Sequence, residues 1–177
     1  MEFKDLLEAR RSIRQFDGTR KVTQEQVDQM VYAAIQAPSW KNSQTARYYA
    51  VLSDEMIARV SEALPAFNAK SSAGAALIVT TFVANRAGFN REGVADNEAG
   101  NGWGYYDCGL HNANLILAAK DMGLDTLVMG IRDADKLREV LEIPESEMVV
   151  AVIAVGYAAA PAEKPKRKTP QDIVKVF

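Results

Sequence analysis

The sequence predicts a mixed fold of helices and strands, α+β or α/β, on three observations. Apolar residues recur at helical spacing in two long stretches, near residues 24–37 and 103–122. Two continuous apolar runs rich in β-branched residues, at 75–83 and 148–157, read as strands covered on both faces. Between them, shorter helical and strand-like segments alternate irregularly.

At the start, Phe3, Leu6 and Leu7 share one helical face, which stops at a basic cluster, Arg10-Arg11-Ser12-Ile13-Arg14. Thr23-Gln24-Glu25-Gln26 fits a capping box, in which the hydroxyl and the Gln side chain satisfy free N–H groups. Behind it Val27, Met30, Val31, Ala34 and Ile35 repeat at helical spacing. Pro38 ends that helix, because the residue before a proline avoids helical backbone angles. A polar turn at 39–44 leads to a short strand at 47–52, then to a helix at 54–64 with Met56, Ile57, Val60 and Leu64 on one side.

Residues 84–102 hold Gly88, Gly93, Gly100 and Gly102 with mixed charges and almost no periodicity. A connection that long inside a domain is usually functional or mobile. The helix from Trp103 to Met122 carries Tyr106, Leu110, Ala113, Leu117 and Ala118, and Gly123 suits its C-cap. A short strand at 126–129 and a short helix at 133–141 precede the closing strand. The last twenty residues are polar and broken by Pro161, Pro165 and Pro170, with a basic stretch at 164–168 and a short apolar end at 172–177.

The 177 residues amount to one domain, 1–177, with a core large enough to need no disulfide or structural metal. The 21 Lys+Arg balance 23 Asp+Glu to a net charge of −2, which gives bulk nucleic-acid or membrane-surface binding no support. One cysteine, Cys108, cannot form an internal disulfide, and one histidine, His111, supplies no metal cluster, so no metal site is expected. A charged start and the absence of a 20-residue apolar run predict a cytoplasmic protein.

Guanidinium groups match phosphate geometry with paired donors, so Arg10, Arg11 and Arg14, with the Ser12 hydroxyl among them, could hold a phosphomonoester. Taken alone, the cluster reads more simply as a solvated helix end. A second basic group at 166–168 would strengthen the first reading if the two converge. Neither a phosphate loop nor a dinucleotide fingerprint occurs; Gly100-Asn101-Gly102-Trp103-Gly104 lacks the third glycine and the preceding strand. Cys108 and His111 lie three apart on a helix, but apolar surroundings favour packing over a nucleophilic pair. Trp40, Trp103, Tyr105 and Tyr106 are candidates for the walls of a flat-ligand pocket, or for a core edge.

Four motifs in order resemble the nitroreductase family of flavin enzymes. The run Arg10-Arg11-Ser12-Ile13-Arg14-Gln15-Phe16 resembles its N-terminal R-R-S-x-R-x-F signature. Ala37-Pro38-Ser39-Trp40-Lys41-Asn42-Ser43-Gln44 resembles its A-P-S-x-x-N-x-Q-P segment. Residues 107–124 are similar to its long central helix, and Val155-Gly156-Tyr157 with Pro165-Lys166-Arg167-Lys168 to its closing strand and basic tail.

The resemblance implies a three-layer α+β fold, with a central mixed or antiparallel sheet between helices and a domain-exchanged C-terminal arm (158–177) packing on the partner subunit. It implies FMN bound non-covalently at a homodimer interface, reduced by NADH or NADPH. Arg10, Arg11 and Ser12 would meet the phosphate and ribityl chain, joined by Arg167 and Lys168. Arg14 matches the basic residue at the flavin N1–O2 edge, where reduction leaves negative charge. Pro38, Ser39, Trp40 and Asn42 would reach the partner's flavin, and Asn68 the pyrimidine edge. Val128, Met129 and Gly130 occupy the place where family members offer main-chain N–H to flavin N5, which makes Arg14, Met129 and Gly130 the expected reactive surroundings.

The expected activity passes hydride from NAD(P)H through N5 to a small electron-poor acceptor, a nitroaromatic or a quinone. The alternatives are another flavin reaction, such as dehalogenation or dehydrogenation, or flavin binding without nicotinamide-dependent catalysis. Thr45 stands where the family's segment often has proline, and residues 84–102 replace a longer helical insertion. The apolar end, Ile173, Val174, Val176 and Phe177, could add a strand to another subunit's sheet.

Overall fold

The Thr23 hydroxyl accepts from the Gln26 N–H while the Gln26 side chain accepts from the Thr23 N–H, so the capping box read in the sequence starts the first long helix. In the computed structural model, which describes residues 1–177, this helix is α2 (Gln24–Ala34), preceded by α1 (Phe3–Ala9). A one-turn 3-10 helix (Trp40–Asn42) and β1 (Ala46–Val51) follow, then α3 (Asp54–Ser61), α4 (Ala66–Ser71) and β2 (Ala76–Val83). The 20-residue α5 (Gly102–Asp121) leads to β3 (Asp125–Met129), α6 (Ala134–Leu141), β4 (Glu147–Gly156) and a final turn of helix, α7 (Pro170–Ile173).

The four strands lie in the order β1-β2-β4-β3, and every neighbouring pair is antiparallel. The sequence left the sheet mixed or antiparallel; the parallel element is an isolated bridge, Ser12 to Thr126, at the free edge of β3. Helices cover both faces, which is why β2 and β4 read as unbroken apolar runs although the sheet is antiparallel. On one face Met30 and Ala34 of α2 and Leu115 and Ala119 of α5 pack on Ile78, Ile153 and Val155. On the other, Val60 of α3 and Leu137 of α6 pack on Leu77, Val79, Leu127 and Val152. The result is the α+β three-layer arrangement expected.

Two glycines set the position of α5. A Cβ on Gly104 would overlap the ring of Phe82 in β2, so its absence lets the helix lie directly against the sheet. Gly123, at φ +75°, reverses the chain at the other end. There its N–H donates to the Lys120 carbonyl and the Leu124 N–H to the Ala119 carbonyl.

Two segments, 54–71 and the tail, differ from the expectations. The helix read at 54–64 stops at Ser61, and the separate α4 follows Pro65. Asn68 is the sole buried residue of α4, so no apolar stripe announces it. Residues 84–101, read as irregular, form neither helix nor strand and are a chain of side-chain-closed turns. Asn90 Oδ1 accepts from the N–H groups of Glu92 and Val94, Asn97 Oδ1 from Ala99 N–H and Trp103 Nε1, and Asn101 pairs with Asn85. In the tail, Ile173 belongs to α7, where Thr169 and Asp172 form a capping box, and is not part of a strand.

The tail begins on its own chain. Asp17 N–H donates to the Tyr157 carbonyl at 2.8 Å and Ala159 N–H to the Gln15 carbonyl at 2.9 Å. Ala162 still packs against the core, and Lys164 pairs with Glu8. Beyond α7, Val174, Val176 and Phe177 are exposed. No helix is long and apolar enough to cross a membrane.

Candidate functional site

Arg10 adopts an extended backbone (φ −60°, ψ 130°) and ends α1, which sends the next residues along the sheet edge. Arg10, Arg11, Ser12, Arg14 and, from the tail, Arg167 line a groove of about 420 Å³. The two basic clusters therefore converge. Lys166 joins Arg10, Arg11 and Arg167 around an adjoining hollow, whereas Lys168 lines neither. None of the four guanidinium groups is in an ion pair. Three of them donate only to nearby main chain: Arg11 to the Arg10 carbonyl, Arg14 to Ser12 and Arg167 to Pro165. Cations gathered this way repel one another, and an anion with several acceptor oxygens relieves that repulsion.

The groove adjoins the free edge of β3. Ile13 N–H donates to the Thr126 carbonyl at 3.0 Å, so Thr126 turns its main-chain groups outward. Strand geometry repeats every two residues and turns those of Val128 the same way. Met129 is buried in the core, whereas Val128 is half-exposed and Gly130 exposed. The loop that follows is pinned at three points. The buried Asn68 donates Nδ2 to the Ile131 carbonyl at 3.0 Å, Arg132 donates to Val149, and Asp133 N–H to Ala63.

The turn at 38–44 lies elsewhere. Lys41, Asn42 and Gln44 all have positive φ, at 47°, 54° and 48°. The cost of that conformation is offset by two side-chain acceptors: Ser39 Oγ takes the Gln44 N–H, and Asp107 of α5 takes the Trp40 N–H at 2.8 Å. Asp107 is buried, and that burial raises its pKa against the opposing effect of the Trp40 bond. The Trp40 and Trp103 rings meet at 4.4 Å, and Lys41 is paired with Asp96. Trp40 Nε1, Ser43 Oγ and Thr45 Oγ1 are buried without a partner. Within one chain, Pro38, Ser39, Trp40 and Asn42 contribute nothing to the lining of the arginine groove.

Sequence reasoning missed Asp107, because a carboxylate on a helix has no local signal for an acceptor role 67 positions away. Its neighbours behave as packing residues. Cys108 is fully buried, with its thiol pushed up to about 11 by burial, and the buried His111 places Nδ1 2.7 Å from the Asp107 carbonyl.

The sequence profile of the nitroreductase family matches residues 7–157. The chain belongs to the nitroreductase family. Among its curated relatives in this oxidoreductase family is a protein of Archaeoglobus fulgidus, provisionally named an NADH dehydrogenase/NAD(P)H nitroreductase. It is 28% identical over 156 residues, which cover 86% of this chain and 83% of the relative. The nitroreductase fold is seen in a family protein of Streptococcus pneumoniae at a TM-score of 0.86 and 22% identity, over 99% of this chain and 100% of that one. A provisionally named nitroreductase of Exiguobacterium sibiricum, solved in complex with FMN, has a TM-score of 0.81 at 22% identity, over 100% of this chain and 98% of that one.

Proposed function

We propose that this nitroreductase-family chain is an FMN-dependent oxidoreductase that works as a homodimer. The observation that carries the reading is the convergence of Arg10, Arg11, Arg14 and Arg167, none of them ion-paired, beside the open edge of β3. A flavin mononucleotide suits that donor set, with a phosphate for the cations and a ring edge for the main-chain groups.

Bound there, FMN would supply the redox chemistry, two-electron transfer from NADH or NADPH to an electron-poor acceptor such as a nitroaromatic or quinone. The chain does the rest. Arg10, Arg11, Ser12 and Arg167 bind the phosphate end, with Lys166 or Lys168 adding charge. Arg14, in the same groove, would stabilise the ring edge that gains negative charge. Main-chain N–H groups at 128–130 orient the reacting edge, and Asn68, through its bond to Ile131, holds that loop. Pro38, Ser39, Trp40 and Asn42 serve the partner's flavin, which accounts for their separation from the groove in one chain.

The test is the visible spectrum of the purified protein, followed by anaerobic addition of NADH or NADPH. Flavin bands that bleach are expected. Bands that persist would leave a flavin site without nicotinamide-dependent catalysis. No bands after reconstitution with FMN would remove the reading.

A further inference from the structure

A second cavity, of about 550 Å³, opens between the turn at 38–44 and the irregular interval 84–101. Its charge runs against that of the chain, which is −2 overall. Lys41, Arg86 and Arg91 line it against a single carboxylate, Glu92. Lys41 is already neutralised by Asp96 at 2.8 Å, but Arg86 and Arg91 are exposed and have no ion-pair partner. Two free forked cations therefore face a cavity whose aromatic lining is Trp40 and Phe89.

The Trp40 wall is rigid. The Trp40 main chain is tied to Asp107, and its ring rests against Trp103, which Asn97 holds through Nε1 at 2.9 Å. Ser43, also in the lining, has a hydroxyl that the fold leaves unpaired. A fixed π-face beside two unpaired guanidinium groups matches a flat conjugated molecule bearing a carboxylate or sulfonate. The ring stacks and the anion takes paired N–H donors.

We propose that this cavity is the acceptor pocket and that it selects anionic flat acceptors, with Arg86 and Arg91 gripping the anion and Trp40 carrying the ring. The inference rests on the flavin reading, in which Trp40 belongs to the segment that reaches the partner's cofactor.

Trp40 lines this cavity and Trp103, the other tryptophan of the chain, packs against Trp40, so intrinsic fluorescence reports the cavity's occupancy independently of turnover. The experiment titrates the purified holoprotein with 4-nitrobenzoate and with the neutral 4-nitrobenzyl alcohol, and measures FMN per chain and KM for NADH in parallel. The wild type should bind the carboxylate about tenfold tighter or more, the scale of one charge-assisted pair. Arg86→Gln/Arg91→Gln should reduce that preference to near parity while binding of the alcohol and FMN content stay unchanged. Equal affinities in the wild type overturn the proposal, as does a preference that survives the double substitution. A rise in KM for NADH with an unchanged acceptor ratio also overturns it, because the reductant's pyrophosphate would then be the anion. Loss of preference in a protein that holds no FMN would keep the pocket and discard the flavin reading; FMN retained without any preference would do the reverse.

Discussion

The carboxylate of Asp107, in the first half of α5, accepts the main-chain N–H of Trp40 at 2.8 Å and so anchors a turn in which three residues have positive φ. Asp107→Ala leaves that N–H unpaired at a buried position, a loss of about 1–3 kcal/mol. Its thermal midpoint should fall by several degrees, with Trp40 fluorescence shifted to longer wavelength. An unchanged emission maximum would show that the turn does not depend on Asp107.

The same residue gives stability a pH dependence of definite sign. Burial holds its carboxyl above the ordinary value of 3.8, so the folded chain retains that proton more readily than the unfolded chain. The contribution is complete below pH 3.8 and is lost as pH rises through the raised value. Asparagine has no such loss. Asp107→Asn should therefore gain on the wild type between pH 4 and pH 7, measured as the difference in thermal midpoint; equal differences at both pH values would contradict this.

Gly104→Ala drives a methyl group into the Phe82 ring, which is itself fully buried and held edge-on by Tyr105 at 4.9 Å. Overpacking of this kind costs about 1–3 kcal/mol, or roughly 2–12 °C in a domain of this size. Phe82→Leu in the same chain should return part of the loss. A midpoint equal to wild type in the single variant would mean that α5 can lift from the sheet freely.

Cys108 should not react in the native state. Its thiol is fully buried and raised to about 11, so almost none is thiolate at pH 8. Labelling by a thiol-specific disulfide reagent should proceed at the rate of unfolding and accelerate in denaturant. Rapid stoichiometric labelling of folded protein would refute the assignment of Cys108 to the core.

Arg11→Ala and Arg167→Ala should each weaken FMN binding by about 10–100-fold, the worth of one hydrogen bond to a charged group. The loss should shrink at high salt, where exposed charges are screened. Arg14→Ala should instead slow turnover more than it loosens FMN. Equal FMN retention and an unchanged reduction rate would remove Arg14 from the flavin edge.

Truncation after residue 160 removes Arg167, α7 and the exposed Val174, Val176 and Phe177. Monomeric or insoluble protein is expected by light scattering. A soluble dimer that still holds FMN would deny the arm its place on the partner.

The sequence made the core elements legible because their signals are local. A capping box, a C-terminal glycine and two apolar runs mark the start of α2 and the bounds of α5, β2 and β4 within a residue, while α2 ends at Ala34, three residues before the proline predicts. The basic groove was half legible: the residue types were visible, but only the pairing of residues 15–17 with 157–159 brings Arg167 to Arg10 and Arg11. What stayed hidden depends on distant partners or on short elements without a stripe. Asp107 acts on Trp40, the six-residue α4 has a polar residue as its buried one, and the turns of 84–101 are closed by asparagine oxygens that carry no periodicity. The cationic character of the second cavity was equally invisible, since Lys41 lies far along the chain from the irregular segment that bears Arg86 and Arg91.

The free edge of β3 past Thr126 presents main-chain donors and acceptors, atoms that every residue except proline supplies identically. An alanine scan across 128–130 would pass over this part of the molecule in silence, while a proline scan would find it at once. Descendants of this sequence are free to rewrite those letters without altering what they present, so under the proposed flavin reading comparison of side chains alone will understate how much of the binding edge is inherited.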